Sequence, residues 1–510
     1  MQDWRPFFPF SEIRSSQSEA LDFLIQHFHG ANDLFVEAPT GVGKSAIAMA
    51  LAGWCASRGE STYISTTTIS LENQYVETFA KLGLRQLHAK SHYFCPGCRS
   101  CDVGSRELKS GWRRCQEGDE CTYRIAKVAF NAADFSIANA AYICTCARFA
   151  PDWAPREIAI FDEAHLLHDT IASGYSFEIQ EREVQFFPSE GNEPDWLQQN
   201  YAFWLDVQIR ELEEELEQTA EEDPEIQRIC RKLERAEQKK QNLQKILADV
   251  SVNWVFDQQP DRLSISPLWA TELATNLLPR IGAKRIYLSA TLPGFVHQAR
   301  YLGIDPKSAK FLALDSPFPL EHRLIHICPV VKWDYRDSGP AIAKTCRAIE
   351  KILALHPQDR GLVHVSSYYQ AREVLQQCRS KRLISHDNAR DKDVRLEEMF
   401  AKPGTVLVSP SSHEGLDLYG DRSRFQVIAK LPFASLGDKR VKRRMEVDKN
   451  WYNLHTAQKF IQACGRSIRS DSDFATTYVL DAAFDGFYNR ASQFFPEYLL
   501  QALRTQEVDV

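Results

Sequence analysis

The sequence predicts an α/β protein made of two successive strand-and-helix sets, the first interrupted by two insertions of different character. Three observations carry this. An apolar run, Asp33-Leu34-Phe35-Val36, enters Glu37-Ala38-Pro39-Thr40-Gly41-Val42-Gly43-Lys44-Ser45, and Ala46-Ile47-Ala48-Met49-Ala50-Leu51-Ala52 follows with strong helix formers. Short strand-like runs recur at 61–66, 133–139, 157–161 and 284–288, then in a second series at 324–328, 361–367 and 405–409. Between them, five cysteines at 95–121 and a charged helical stretch at 205–248 break the first series.

At 510 residues the chain has room for about three or four units of ~150 residues each. A hydrophobic content of 44% with 25% charged residues is that of a globular protein, and no run of ~18 apolar residues predicts a membrane span. Met1 to Phe10 lacks a basic segment followed by an apolar one, so no secretory signal is expected. A formal charge of −7 argues against a protein that coats nucleic acid, while leaving room for a local basic channel. Of the 13 cysteines, Cys95, Cys98, Cys101, Cys115 and Cys121 stand close together beside a nucleotide motif, which favours metal ligation over disulfides.

The strand–loop–helix is a phosphate loop in its proper context. Gly41 and Gly43 let the backbone curl so that its N–H groups face phosphates, and the helix N-terminus adds favourable partial charge. Ala38, Pro39, Thr40, Gly41, Val42, Gly43, Lys44 and Ser45 form the nucleotide-binding set, Lys44 for the β- and γ-phosphates and the Ser45 hydroxyl for Mg²⁺. Upstream, Gln17 precedes an amphipathic helix at Ser18–Phe28 and is a candidate reader of the adenine edge, or a plain helix cap. Downstream, Thr66, Thr67 and Thr68 end a strand and open a helix at Leu71–Leu82, suited to an N-cap and to gripping a nucleic-acid phosphate.

The cysteine segment shows C-x2-C on one side only and C-x5-C on the other, whereas structural zinc takes paired knuckles. An iron–sulfur cluster held by four irregularly spaced thiolates fits better, with zinc as the alternative. The buried strand Glu157-Ile158-Ala159-Ile160-Phe161 ends in Asp162-Glu163-Ala164-His165: Asp162 is placed to hold Mg²⁺ and Glu163 to orient and deprotonate the attacking water. An acidic helix stopping at Glu222-Asp223-Pro224, then a heptad seam of Ile226, Ile229, Leu233, Ala236, Lys240, Leu243 and Leu247, predicts an antiparallel hairpin. Near the C-terminal end, Gln462-Ala463-Cys464-Gly465-Arg466-Ser467-Ile468-Arg469 carries two arginines three apart. On a helix they would share a face and reach a γ-phosphate held by another domain.

These motifs in this order resemble superfamily 2 helicases, and more narrowly the XPD/DinG group of iron–sulfur helicases. The phosphate loop at 38–45, DEAH at 162–165, SAT at 289–291, HEGLDL at 413–418 and QACGRSIR at 462–469 carry the resemblance. The two insertions fall where that family has its cluster and Arch domains. Tyr93-Phe94-Cys95 is similar to the family's first ligand, Cys121-Thr122-Tyr123 to its last, and Asp315-Ser316-Pro317-Phe318 to a stretch opening its second motor domain.

The resemblance implies two stacked RecA-like domains: domain 1 at 1–88, 128–168 and 256–310, the cluster domain at 89–127, the Arch at 169–255, and domain 2 at 311–510. It implies a [4Fe-4S] cluster on Cys95, Cys101, Cys115 and Cys121, with Cys98 as substitute for Cys101. Gln462, Arg466 and Arg469 join Lys44, Asp162 and Glu163 as the catalytic set, and Asp417 joins the nucleotide-binding residues. The implied activity is ATP-dependent 5′→3′ travel on single-stranded DNA with unwinding of forked or displaced-strand duplex, in a cytoplasmic, DNA-associated protein for which a monomer is one of the states left open. A basic run, Lys439-Arg440-Val441-Lys442-Arg443-Arg444, reads either as a backbone-binding element or as a solvated helix face. The rival of another class is a nucleotide-switched nucleic-acid-binding protein with a structural zinc and no unwinding. Intact Glu163, Arg466 and Arg469 count against it. An RNA helicase of the same superfamily is a second rival.

Overall fold

The computed structural model describes residues 3–95, 99–100, 121–150, 152–184, 186–189, 191–219, 225–248, 252–333, 338–388, 390–410, 418, 420–468 and 473–505. Two seven-stranded parallel sheets form its frame. From edge to edge the first runs Lys310–Ala313, Asp33–Glu37, Gly282–Ser289, Arg156–Asp162, Thr62–Thr66, Phe135–Asn139 and Arg85–Gln86. The second runs Leu383–Ser385, Val406–Ser409, Gly361–His364, Phe425–Ile428, Thr476–Asp481, Ile325–Val331 and Leu503–Arg504. Helices cover both faces, which is why strands such as Asp33–Glu37 and Val406–Ser409 are buried along their whole length and read as continuous apolar runs.

Register in the first sheet positions the site. Glu37 pairs with Ser289, and Leu288 with Asp162, so three loops leave neighbouring strand ends together. These are the phosphate loop, the Ser289-Ala290-Thr291 turn and the Asp162-Glu163 turn. Ligand sites in open parallel sheets lie at this carboxyl edge.

Two expected boundaries move. Lys310–Ala313 pairs with Asp33–Glu37, so the first sheet extends past the junction expected at 310/311. The helical insertion also differs from the expected 169–255. Its helices Ala202–Gln218 and Glu225–Ala248 pack on an antiparallel sheet of Phe177–Gln180, Arg262–Pro267 and Trp254–Gln258. Leu205, Leu212 and Leu216 of one helix share a core with Ile229, Leu233 and Leu243 of the other and with Ile179, Leu263 and Ile265 of the sheet. A hairpin of two helices needs a third surface to bury its apolar stripe, and the strands on either side of it in sequence supply one. At the other end, Leu167, Ile171, Ala172 and Tyr175 belong to the first domain's core. Lys240 sits at the seam's edge, 2.5 Å from Asp206. Asp223 and Pro224, expected to cap the second helix, lie outside the described residues.

The domains also touch away from the carboxyl edges. Arg444, in the helix Lys439–Val447, donates from Nε to the Leu268 carbonyl (2.6 Å) and from Nη1 to Asp169 (2.9 Å). Its guanidinium lies 4.9 Å from the Trp269 ring centre and 5.1 Å from that of Trp451. Arg440 stands 3.5 Å from the same Asp169 oxygen, and the Tyr301 hydroxyl donates to Asp448 at 2.7 Å. The basic run is therefore two-sided, matching neither expected reading whole: Lys439, Lys442 and Arg443 are exposed, while Arg440 and Arg444 turn inward.

Candidate nucleotide-binding and hydrolysis site

The phosphate loop is shaped by its two glycines. Gly41 and Gly43 have φ of 82° and 92°, a region side chains disfavour, and a Cβ on Gly43 would lie 2.6 Å from the Gln17 amide. Gly43 precedes the helix Lys44–Ala56, which puts Lys44 and Ser45 in its first turn with the helix N-terminus beside them. Gln17, expected at the adenine edge, is buried under the loop. It accepts from the Arg14 N–H (2.9 Å) and donates to the Val42 carbonyl (2.8 Å), and so holds the loop's shape from behind. Arg14, given no role from sequence, braces the same loop by donating to the Gly41 carbonyl at 2.6 Å.

Facing Lys44 is Glu163, with Nζ 3.7 Å from Oε1. Glu163 has φ of 54°, the one positive φ recorded outside glycine among the described residues. Such strain costs about 1–3 kcal/mol and persists where surrounding structure imposes it, as at sites of chemistry. Asp162 is buried at the strand end, accepts from the Glu163 N–H (2.9 Å) and from the Tyr75 hydroxyl (2.8 Å). Burial, then the charge of Glu163, raises its carboxyl above the usual range, and Lys44 and Tyr75 pull it back. A cation beside Asp162 and Ser45 would relieve that unfavourable charge burial, so the donor set fits Mg²⁺.

His165 joins the domains. Its Nδ1 lies 2.8 Å from the Ser289 hydroxyl, and its Nε2 2.5 Å from the Gln462 amide, which also donates to Thr291 (3.2 Å). With the amide nitrogen toward the ring, Nε2 accepts and Nδ1–H donates. Gln462 is thus a strut between the hydrolysis strand and the Ser289-Ala290-Thr291 turn. Thr40 adds a second strut by donating to the Gly465 carbonyl at 3.0 Å. Thr68 caps the helix Ile69–Phe79 by accepting from the Leu71 N–H.

Arg466 departs from expectation. The helix Lys449–Cys464 ends before it, so Arg466 lies in the following turn and not on a helical face. It still lines the same cavity as Lys44 and Glu163, about 1250 Å³ in volume, together with Thr67, Thr68 and Lys392. Arg469 and Asp417 lie outside the described residues, as do Cys98, Cys101 and Cys115. Tyr75 and Arg14 carry no sequence signal, since a tyrosine on a helix or an arginine before one has many ordinary uses, and the Thr40 bond to Gly465 adds an interdomain contact to a residue read only as part of the phosphate loop.

At the cysteine segment, Phe94–Cys95 pairs with Arg99–Ser100, and Cys121 is a buried free thiol at the start of the helix Thr122–Ala132. The Thr122 hydroxyl donates to the Phe94 carbonyl at 2.9 Å, bringing the backbones beside the first and last cysteines together. That adjacency fits a group bridging both ends of the segment.

Residues 349–501 match a family model described as a helicase C-terminal domain, and residues 10–181 one described as the res subunit of type III restriction enzymes. The chain is 25% identical over 340 residues to the ATP-dependent DNA helicase DinG of Photobacterium profundum, covering 57% of this chain and 48% of that one. It is 24% identical over 272 residues to a probable ATP-dependent helicase of Methanocaldococcus jannaschii, covering 48% and 41%. The chain thus spans about half the length of the curated relatives it matches. The solved structure of S. tokodaii Xpd4 superposes with a TM-score of 0.59 at 16% identity, over 97% of this chain and 100% of that one.

Two parallel α/β domains, with a phosphate loop on one and Gln462 and Arg466 of the other lining its cavity, are similar to the paired domains of superfamily 2 helicases. In fold and motif order the chain is XPD/DinG-like.

Proposed function

We propose that the protein is an ATP-driven DNA helicase that moves 5′→3′ along a single strand and parts duplex ahead of it. The observation that carries this is the meeting of Lys44, Glu163, Gln462 and Arg466 around one interdomain cavity. ATP enters with its phosphates along the loop backbone, held by Lys44 and, from the other domain, by Arg466 and Arg469. Ser45 and Asp162 would hold Mg²⁺, which would supply charge neutralisation on the phosphates. Glu163 orients a water and takes its proton as the water oxygen bonds to the γ-phosphorus, while the bond from that phosphorus to the β–γ bridging oxygen breaks and ADP leaves. Loss of the γ-phosphate removes what Arg466 grips, and the domains part. Thr67 and Thr68, at the rim of the same cavity, are suited to gripping a backbone phosphate, so opening and closing would shift grip along the strand.

Cys95, Cys101, Cys115 and Cys121, with Cys98 as substitute for Cys101, would hold a [4Fe-4S] cluster. Its role here is mechanical: it staples a segment with few apolar residues so that it stands firm where strands separate. The hairpin at 205–248 would gate the strand. Anaerobically purified protein should contain iron and labile sulfide in about equal amounts, and single-stranded DNA should raise its ATP turnover. Cys121→Ser should lose both the cluster and strand separation while still binding ATP. Stoichiometric zinc without sulfide would remove the cluster; turnover indifferent to DNA would remove the translocating motor.

A further inference from the structure

The contact around Arg444 has a place in the motor that the hydrolysis chemistry does not use. One helix, Lys449–Cys464, carries Trp451 near its first turn, against the Arg444 guanidinium, and Gln462 in its last, against His165. Eleven residues separate them, roughly 16 Å at ~1.5 Å per residue. The first domain mirrors this arrangement: Asp169 lies in the helix Leu167–Tyr175, which follows directly on Asp162-Glu163-Ala164-His165. Both halves of the hydrolysis site are therefore rigidly continued to one point, where Asp169 meets Arg444.

Asp169 borders the far wall of the same cavity as Lys44 and Arg466, and the contact behind it is close-packed. Gly294 of the first domain, at φ +63°, sits so near the same helix that a Cβ on it would lie 2.6 Å from Leu454 and 3.0 Å from Phe494. The rings of Trp269 and Tyr301 stack at 4.9 Å, 3° from parallel, and Tyr301 donates to Asp448 across the seam. The seam's other end opens into the 1250 Å³ cavity, bridged by the hydrogen bonds of Thr40 and Gln462.

We propose that Asp169 and Arg444 form the pivot of the motor: the second domain turns about this contact, so that the Lys44–Arg466 end opens and closes while the Asp169–Arg444 end stays shut. The proposal rests on the motor reading above. Arg444 and Asp169 are positioning residues that act through the helix carrying Gln462.

Amide hydrogen exchange on the whole wild-type protein, with and without a non-hydrolysable ATP analogue, tests it. Protection should rise at 40–47 and 461–468, while 167–175 and 439–447 stay within about twofold of their analogue-free rates. Protection at 40–47 joined by an equal change at 439–447 overturns the pivot alone. No protection at 40–47 overturns the motor reading and the pivot with it. Arg444→Lys, which keeps the charge but loses the fork that spans Leu268 and Asp169, supplies a kinetic readout, and Asp169→Asn a second should it fold poorly. In either, KM for ATP should stay within about threefold of wild type while strand-stimulated kcat falls about tenfold or more. A wild-type kcat in both variants, or a KM that rises with kcat unchanged, contradicts the pivot.

Discussion

On the cleft side of the seam, the two sheets meet across a cavity through Thr40 to Gly465, Gln462 to His165 and Gln462 to Thr291. On the far side they meet through a buried guanidinium that serves a carboxylate, a carbonyl and two indole faces at once. Each cleft bond contributes about 1 kcal/mol net, and water or phosphate oxygens can replace it when it breaks. Parting Arg444 from Asp169 leaves a buried charge alone, at about 3–5 kcal/mol, toward the lower figure because Asp169 is a third exposed. On the proposed motor reading, the replaceable contacts stand beside Lys44 and Glu163, and the costly one stands where Asp169 borders the same cavity.

The comparison breaks most visibly at Lys44. Lys44→Ala removes the cation that faces both Glu163 and the bound phosphates, and ATP turnover should fall on the order of 1000-fold. A steady-state ATPase assay reads this, and a variant with more than about a tenth of wild-type turnover would take Lys44 out of the site. Gln462→Ala comes next. It removes the strut between His165 and Thr291 but no phosphate contact, so kcat should drop about tenfold with ATP affinity nearly unchanged. Equilibrium titration with a fluorescent nucleotide separates the two quantities, and weakened binding at unchanged kcat would make Gln462 a nucleotide ligand instead.

The smallest effect sharpens the far side. Burial holds His168 at about 4, helped by Arg444 and Arg440 and opposed by Asp169. A histidine with folded pKa below its unfolded ~6.5 contributes stability that is complete above pH 6.5 and lost as pH falls toward 4. Between pH 7 and 5 the wild type should lose about 2 kcal/mol relative to His168→Gln. Referring to that variant cancels the opposite pull of Glu37, whose carboxyl burial raises to about 7. Denaturant midpoints at the two pH values give the difference. Parallel pH dependence in both proteins would mean that His168 takes up its proton in the fold as readily as in the unfolded chain, and that burial does not govern it.

Much of the frame was legible because strands buried on both faces leave continuous apolar runs, and because the phosphate loop and Asp162-Glu163 need particular residues at particular strand ends. The domain junction falls later than expected because Phe311-Leu312-Ala313-Leu314 reads equally well as a strand of either sheet, and only its pairing with Asp33–Glu37 decides between them. For Gln17 the sequence leaves both the adenine edge and a helix cap open, and the structure shows the cap: its Oε1 accepts from the Arg14 N–H while its amide donates to Val42. Arg466 was placed on a helix, but Gly465 ends that helix one residue earlier. The far side of the seam left almost no trace in sequence. Arg444 looks like its exposed neighbours Lys442 and Arg443, and only the three-dimensional meeting with Asp169, Trp269 and Trp451 sets it apart.

The central claim, that hydrolysis in the interdomain cavity is driven by Glu163 and coupled to a strand, meets its most direct test in Glu163→Gln. ATP turnover and nucleotide binding should be measured for this variant and for wild type, each with and without single-stranded DNA. Wild-type turnover should rise with DNA, and the variant's turnover should be lower by about 100-fold or more with ATP still bound. A variant that turns over ATP as fast as wild type, with or without DNA, would contradict it.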